Sequence, residues 1–113
     1  MMLKLFKCGF CGNIHEGDDA PEVCPKCGSP KDKYAQLPEE AAQLVMKSRK
    51  TNRYHTQVLE HLAQAADIAA KGVEDNLDPT CVKVFGDILA SAKVLQGEIR
   101  AELAGHVGKG KWG

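Results

Sequence analysis

Two matched pairs of cysteines constrain this chain more than any other feature. The first pair reads Cys8-Gly9-Phe10-Cys11-Gly12, and the second reads Cys24-Pro25-Lys26-Cys27-Gly28. A C-x-x-C pair lets one tight turn present two thiolates to the same ion, and two such turns complete a tetrahedral site of four sulfurs. The spacing therefore predicts a single metal site formed by Cys8, Cys11, Cys24 and Cys27, with iron or zinc as the ion.

A glycine follows the second cysteine of each pair, at Gly12 and Gly28. Glycine tolerates the left-handed backbone that lets amide N–H groups turn back toward the sulfurs. The alternative is a disulfide within each pair. C-x-x-C disulfides are strained and easily reduced, and nothing else in the sequence indicates secretion. A metal site is therefore the favoured interpretation.

The segment around the cysteines resembles the short rubredoxin-type domain of the rubrerythrins. Besides the two C-x-x-C-G units, the resemblance rests on Ile14-His15-Glu16-Gly17, on Ala20-Pro21 and on the closing aromatic Tyr34. It spans residues 4–36 approximately and does not reach the rest of the chain. It implies a rubredoxin-like fold, one iron per chain in an Fe(Cys)4 centre, and one-electron transfer. In rubrerythrins the helical domain usually comes first, whereas here the predicted helices follow the cysteines.

Two other classes of function use similar residues. The same four cysteines suit a non-redox zinc ribbon, in which structural zinc supports an interaction module, and the resemblance favours iron over zinc. A peroxide- or oxygen-reducing enzyme of the rubrerythrin kind needs Glu-x-x-His pairs for a di-iron site. Glu60, Glu98 and Glu102 are followed three residues later by alanine or glycine. We therefore predict no catalytic residues and no second metal site, although a role as one component of such a system stays open.

The charge balance bears on possible partners. Lysine plus arginine number 15, and aspartate plus glutamate number 15. Nucleic-acid binders normally carry a basic excess, so no nucleic-acid partner is expected. The basic cluster Lys47, Arg49, Lys50 and Arg53 is either a solvated helix turn or a docking patch for an acidic redox partner protein.

Two further features bear on location. No segment approaches the roughly 18 apolar residues of a membrane span, so no membrane partner is expected. Cys81 is a fifth cysteine, far in sequence from the two pairs. A lone thiol beside a thiolate metal site is typical of a reducing compartment, so the prediction is a cytoplasmic protein.

The N-terminal part has little regular structure. Residues 3–7 alternate apolar and polar, as a short half-buried strand does, and residues 12–21 form a polar loop. The metal is expected to act as the core of this domain, residues 1–37. The apolar side chains expected to pack around the metal are Phe6, Phe10, Ile14, Val23 and Tyr34.

The remainder, residues 38–113, is predicted to be all-α. Pro38 with Glu39-Glu40 suits the first turn of a helix over 39–72, which Gly72 ends. Asp78-Pro79 is an N-cap with proline at the first helical position, and an apolar stripe then runs from Cys81 to Leu103. The glycines Gly105 and Gly108 are expected to end this helix, with His106 just past its last turn and residues 109–113 as a loose tail.

The short polar connection between the helices predicts an antiparallel hairpin. One hairpin cannot bury both apolar stripes, whereas two hairpins can do so as a four-helix bundle. A homodimer is therefore predicted. Gly86 and Gly97 within the second helix either permit close helix packing or are simply tolerated.

Overall fold

The computed structural model describes residues 4–113 of the chain. Within those residues the order of elements is β1 (Leu5–Cys8), β2 (Ile14–Glu16), a short 3-10 turn at Lys31–Lys33, β3 (Tyr34–Gln36), α1 (Glu39–Asp75) and α2 (Pro79–Gly108). This order confirms the predicted fold class, a small rubredoxin-like β domain followed by a helical hairpin. The strand predicted over residues 3–7 begins at Leu5 in the described part, and Leu3 lies outside the described residues.

The chain divides into two compact units. The first comprises the described residues of Met1–Arg49 together with Gly110–Gly113, and the second is Lys50–Lys109. The division falls inside α1. The predicted domain boundary after residue 37 concerns which part folds with the metal, and it stays a prediction.

The three strands of the first unit form one antiparallel sheet in the order β2-β1-β3. The central strand pairs Phe6 with His15 on β2 and Lys7 with Ala35 on β3. Three strands this short bury too little apolar surface to be stable alone. The first turns of α1 complete the core, because fully buried Leu5 packs with the cluster Ala42, Val45, Ile14 and Leu37.

The C-terminal residues are held by the first unit, so the prediction of a loose tail was wrong. Arg49 donates from Nε to the carbonyl oxygen of Gly113 at 2.7 Å. The Arg49 guanidinium also pairs with the carboxylate of Glu16. Gly113 lies so close to Ile14 and Val45 that a Cβ at this position would fall 2.6 Å from one Ile14 side-chain carbon. The glycine- and lysine-rich composition suggested disorder, but these partners are distant in sequence and invisible to composition.

The second unit is an antiparallel helical hairpin, as predicted. At one end the ring of Phe85 lies against Gly72, and at the other His106 contacts Asn52. Between these ends the buried positions recur at heptad spacing, which is typical of two helices packed along a seam. The most buried residues of this seam are Asn52, Ala66, Ala69, Ala92, Gln96 and His106.

A short connection joins the two helices at the position that the sequence predicted. Asp78 is the N-cap of α2, and its carboxylate accepts from the backbone N–H of Cys81 at 2.7 Å. Pro79 occupies the first helical position, as predicted. The first helix continues to Asp75 rather than ending at residue 72, and Asn76 then adopts a left-handed φ of 50°.

His106 lies inside α2, which continues through Gly105 to Gly108, so its predicted position beyond the helix was wrong. Its side chain is buried in the seam. Nδ1 is 2.6 Å from Asn52 Oδ1, Nε2 is 3.0 Å from Glu102 Oε1, and the ring lies edge-on to His55.

Glycine positions in the hairpin provide a test of this packing. A Cβ at Gly72 would lie 2.4 Å from the Phe85 ring, whereas no heavy atom lies within 4 Å of one at Gly97. We therefore expect Gly97→Ala to stabilise the protein by about 1 kcal/mol, the ordinary helix-propensity gain. Gly72→Ala should instead destabilise it by roughly 1–3 kcal/mol through overpacking. Urea unfolding followed by circular dichroism measures both; equal stabilisation by the two variants would contradict the close packing at Gly72.

Candidate metal centre

The two C-x-x-C turns have equivalent backbone geometry. The first cysteine of each turn donates its N–H to the residue after the glycine, from Cys8 to Asn13 O at 2.9 Å and from Cys24 to Ser29 O at 2.8 Å. The N–H of each glycine donates to the carbonyl oxygen of that first cysteine at 2.9 Å. Gly12 and Gly28 have φ of 82° and 79°, the left-handed conformation that the sequence predicted. A residue with a Cβ would be strained at either position.

The turns bring the four predicted ligands, Cys8, Cys11, Cys24 and Cys27, into one cluster. Their sulfur atoms all lie within 4.8 Å of one another, and the five cysteines of the chain are free of disulfides. Across the turns, Cys8 Sγ is 3.7 Å from Cys27 Sγ, and Cys11 Sγ is 3.6 Å from Cys24 Sγ. A tetrahedron with metal–sulfur bonds of about 2.3 Å has edges of about 3.8 Å. The cysteine positions therefore fit a tetrahedral thiolate site for iron or zinc.

Exposure differs between the two cysteines of each turn. Cys8 and Cys24, the first of each pair, are each only 1% exposed. Cys11 and Cys27, the second of each pair, are partly exposed. The cluster is therefore closed toward the protein and open on the side where the two turns face solvent.

The protonation of the cluster is uneven. The Tyr34 hydroxyl beside Cys24, helped by the amides of Cys27 and Lys26, lowers the pKa of the Cys24 thiol to about 6. Backbone N–H groups of Cys11 and Phe10 also lower the pKa of Cys8. Although the Asn13 amide favours a thiolate at Cys11, burial and the three neighbouring sulfurs raise the pKa of Cys11 to about 11. Four sulfurs this close cannot all ionise by themselves, so a bound cation displaces the remaining protons.

Three polar side chains next to the sulfurs extend the predicted site. Ser29 Oγ lies 3.2 Å from Cys27 Sγ and can donate to it once that sulfur is a thiolate. The Tyr34 hydroxyl donates to Asn13 Oδ1 at 3.1 Å, and its proximity to Cys24 raises its own pKa. The sequence identified Tyr34 only as an aromatic position. Its hydrogen-bonding role depends on β3 pairing with β1, which places Tyr34 opposite Cys8.

The apolar shell predicted around the metal is only partly present. Phe10 is 77% exposed and Val23 is 58% exposed, so neither shields the sulfurs. Ile14 packs into the core of the sheet with Leu5. Phe6 is buried, but its ring neighbour is His15, at 6.5 Å between centroids. The prediction was wrong for Phe10, whose side chain points away from the sulfurs that its turn encloses, and for Val23, which precedes the second turn and pairs with Pro30.

No second group of three or more histidine, cysteine or acidic residues in residues 4–113 is arranged to hold a metal ion. Cys81 is far from the cluster in sequence, and the Asp78 carboxylate, together with burial, raises the pKa of its thiol. Neither α1 nor α2 is long and apolar enough to cross a membrane. In the basic cluster, Arg49 binds Glu16, and Lys50 lies 5.9 Å from the centre of the Tyr54 ring.

Comparisons with known proteins agree with this geometry. Residues 6–35 match the family model of the rubrerythrin rubredoxin-like domain. The chain is 53% identical over 38 residues to reverse rubrerythrin-1 of Clostridium acetobutylicum, a match that covers 34% of this chain and 21% of that protein. It is 47% identical over 32 residues to the rubrerythrin of Nitratidesulfovibrio vulgaris, covering 28% and 17% respectively.

The chain thus spans about a fifth of the length of the curated relatives that it matches. No solved structure matches the chain significantly. The helices fall outside the matched residues 6–35. Over those residues, the chain carries a rubredoxin-like domain of the rubrerythrin type.

Proposed function

We propose that this protein is a one-electron carrier with one iron bound by Cys8, Cys11, Cys24 and Cys27. The observation that supports it best is the sulfur cluster, whose 3.6 and 3.7 Å edges match a tetrahedral thiolate site within a rubrerythrin-type domain. Iron in such a site supplies reversible exchange between ferric and ferrous states. The chain spans only part of its relatives, so electron transfer is proposed for this chain by similarity and by site chemistry.

The residues of this chain suit that role in two ways. Backbone N–H groups from both turns point at Cys8 and Cys24, and they stabilise negative charge on the sulfurs without any movement. Cys11 and Cys27 are partly exposed, so an electron can enter or leave through a sulfur edge. Fixed ligands keep structural rearrangement small during electron transfer.

A non-redox zinc ribbon is the second candidate, because zinc–sulfur bonds of the same length fit the same tetrahedron. Participation in a peroxide- or oxygen-reducing system would need a di-iron component that residues 4–113 do not supply. We further propose a reducing compartment such as the cytoplasm, which five free cysteines support. Equal numbers of acidic and basic residues give no support to a nucleic-acid partner.

Metal dependence of folding tests the site and the proposed domain 1–37. We expect one metal per chain, and Cys24→Ser should lose it and unfold residues 1–37 while the helices persist, because the metal supplies much of the stability of the turns. Elemental analysis and amide hydrogen exchange measure these effects. Cys81→Ser is the matched control and should keep both metal and fold. Retention of a stoichiometric metal by Cys24→Ser would contradict the four-cysteine assignment.

Redox activity tests the choice of metal. Protein from iron-sufficient cells should be red, bleach with dithionite and recolour in air, because ferric thiolate absorbs visible light and ferrous thiolate scarcely does. Visible absorption and metal content are measured on the same sample. Colourless protein with stoichiometric zinc after iron-rich growth would favour the zinc ribbon instead.

For the helices, we propose association with a second copy of the chain. Besides its seam, the unit Lys50–Lys109 has an apolar side. Each residue on this side stands immediately before a residue of the seam in the sequence. In antiparallel helices, such positions lie on the same side of the pair, and a shallow depression of about 300 Å³ between Leu62, Ala65, Ile88 and Leu95 marks it. Its large members are 44–63% exposed: Tyr54, Val58, Ile68, Val84, Ile88 and Leu95.

The opposite side of the hairpin carries most of the charge and its uncharged positions are mainly alanine and glycine, so the apolar side offers the larger hydrophobic surface. Positions one residue after the seam include Glu60, Asp67, Glu74, Lys83, Lys93 and Arg100. The apolar side extends for about 20 Å along α1, from Tyr54 to Ile68. Two copies can cover this side symmetrically as a four-helix bundle, because a two-fold interface uses the same apolar patch twice.

Substitution on the apolar side tests the homodimer. Ile88→Asp should give monomers, because each buried carboxylate would lose hydration without a partner. Ala104→Asp, an equivalent charge change on an exposed position next to seam residue Leu103, should remain dimeric. Light scattering at high micromolar concentration measures the mass, and a monomeric wild type would disprove the bundle.

A further inference from the structure

Charge is distributed unevenly within the metal domain. Residues 14–22 carry Glu16, Asp18, Asp19 and Glu22 and no lysine or arginine. Residues 7–13 and 23–33, which contain the cysteine turns, carry Lys7, Lys26, Lys31 and Lys33 against Asp32 alone. Lys31 is neutralised, since its Nζ is 2.6 Å from Asp19 and 3.5 Å from Glu22. The turns are therefore left with Lys7, Lys26 and Lys33 against Asp32, a border with an excess of positive charge.

The same turns carry exposed apolar groups, Phe10 and Val23. Phe10 and Lys26 occupy equivalent positions, because each immediately precedes the partly exposed second cysteine of its turn. Lys7 Cε lies 3.9 Å from where a Cβ on Gly12 would be, so the stem of Lys7 follows the first turn. The Lys33 carbonyl accepts from the N–H of Gly9, which ties it to that turn. We call Phe10, Val23, Lys7, Lys26 and Lys33 the turn surface.

An exposed phenylalanine in this place needs an explanation, because it lies where the sulfurs are most accessible. Aromatic side chains are typical anchors of protein interfaces. Surrounding charges chiefly determine the rate of encounter and the choice of partner. A protein that covered Phe10 and Lys26 would also cover the open edges of Cys11 and Cys27.

We propose that the turn surface is the docking site for a one-electron protein whose cofactor edge is apolar and bordered by carboxylates. The inference rests on the proposed function and names its partner class. One electron passes from the reduced cofactor of the partner to ferric iron, leaving the partner oxidised by one electron and the iron ferrous. No bond forms or breaks, and the reverse transfer uses the same surface.

Binding can be measured without any redox step. The full chain, ¹⁵N-labelled and loaded with zinc, is titrated with a flavodoxin, an acidic one-electron protein used as the probe. We expect amide shifts at residues 7–12 and 23–28 at low ionic strength, and their loss in high salt, because exposed charges are screened beyond about 10 Å at 0.1 M. Shifts confined to other residues, or no binding at low ionic strength, would overturn the proposal.

A pair of charge reversals gives the matched control. Lys26→Glu should abolish the shifts, whereas Lys4→Glu makes the same change of net charge and should preserve them. Lys4 precedes β1 at the end remote from the cysteines, where its carbonyl accepts from Gly17. Equal effects of the two variants would mean that only net charge matters, which would refute a specific surface.

Electron transfer provides the second readout. Iron-loaded protein is reduced by flavodoxin hydroquinone in a stopped-flow instrument, with reduction potentials measured so that rates are compared at equal driving force. We expect Lys26→Glu and Phe10→Ser each to slow reduction on the order of tenfold at low salt, and Lys4→Glu to have little effect. Unchanged rates would reject the docking surface while leaving the carrier function intact. An iron-loaded protein that dithionite cannot reduce would instead reject the carrier function.

Discussion

The cluster of four sulfur atoms is the constraint on which the N-terminal domain depends. Sulfurs within 4.8 Å of one another repel once ionised, so the turns that hold them are stable together only with protons or a cation between them. Burial and the three neighbouring sulfurs raise the pKa of Cys11 to about 11, whereas the Tyr34 hydroxyl and backbone N–H groups lower that of Cys24 to about 6. The backbone N–H groups and the Tyr34 hydroxyl reduce the repulsion but cannot remove it, and for that reason the geometry indicates a metal.

The short strand β1 connects this cluster to the hydrophobic core. Leu5 at its start is fully buried against Ala42 and Val45 of α1, and Cys8 at its end belongs to the sulfur cluster. The metal and the apolar cluster therefore act on the same four-residue strand from its two ends. The first turns of α1 thus pack within the unit that contains the metal site, and the contact of Arg49 with Glu16 adds to it.

The helical unit is held together by packing along its seam rather than by a metal site. Its seam contains small residues and several polar ones, including Gln96 and the pair His106 and Asn52. Buried polar pairs contribute little net stability, but they penalise other registers, in which their hydrogen bonds would be lost. Ile88 and other apolar side chains lie outside the seam, on the side for which we propose self-association, so different residues specify the register of the hairpin and its proposed assembly.

The sequence by itself determined each C-x-x-C turn, the glycine conformations and the start of α2, because each depends on residues within a few positions of one another; the matched spacing of the two turns then indicated a shared site. Gly12 and Gly28 need only their own turns, and Asp78 caps a helix that begins at the next residue. The resemblance of the cysteine segment to rubrerythrins was likewise local, and the match over residues 6–35 confirmed it.

Only the tertiary structure decided the features that join distant residues. The contact between Arg49 and Gly113 and the burial of His106 against Asn52 each depend on packing between segments. The place of Gly72 within α1 has the same origin, since the ring of Phe85 from α2 occupies the space that a side chain would fill. Local patterns report which turns and helices can form, whereas the partners of a side chain are fixed by the fold that brings them together.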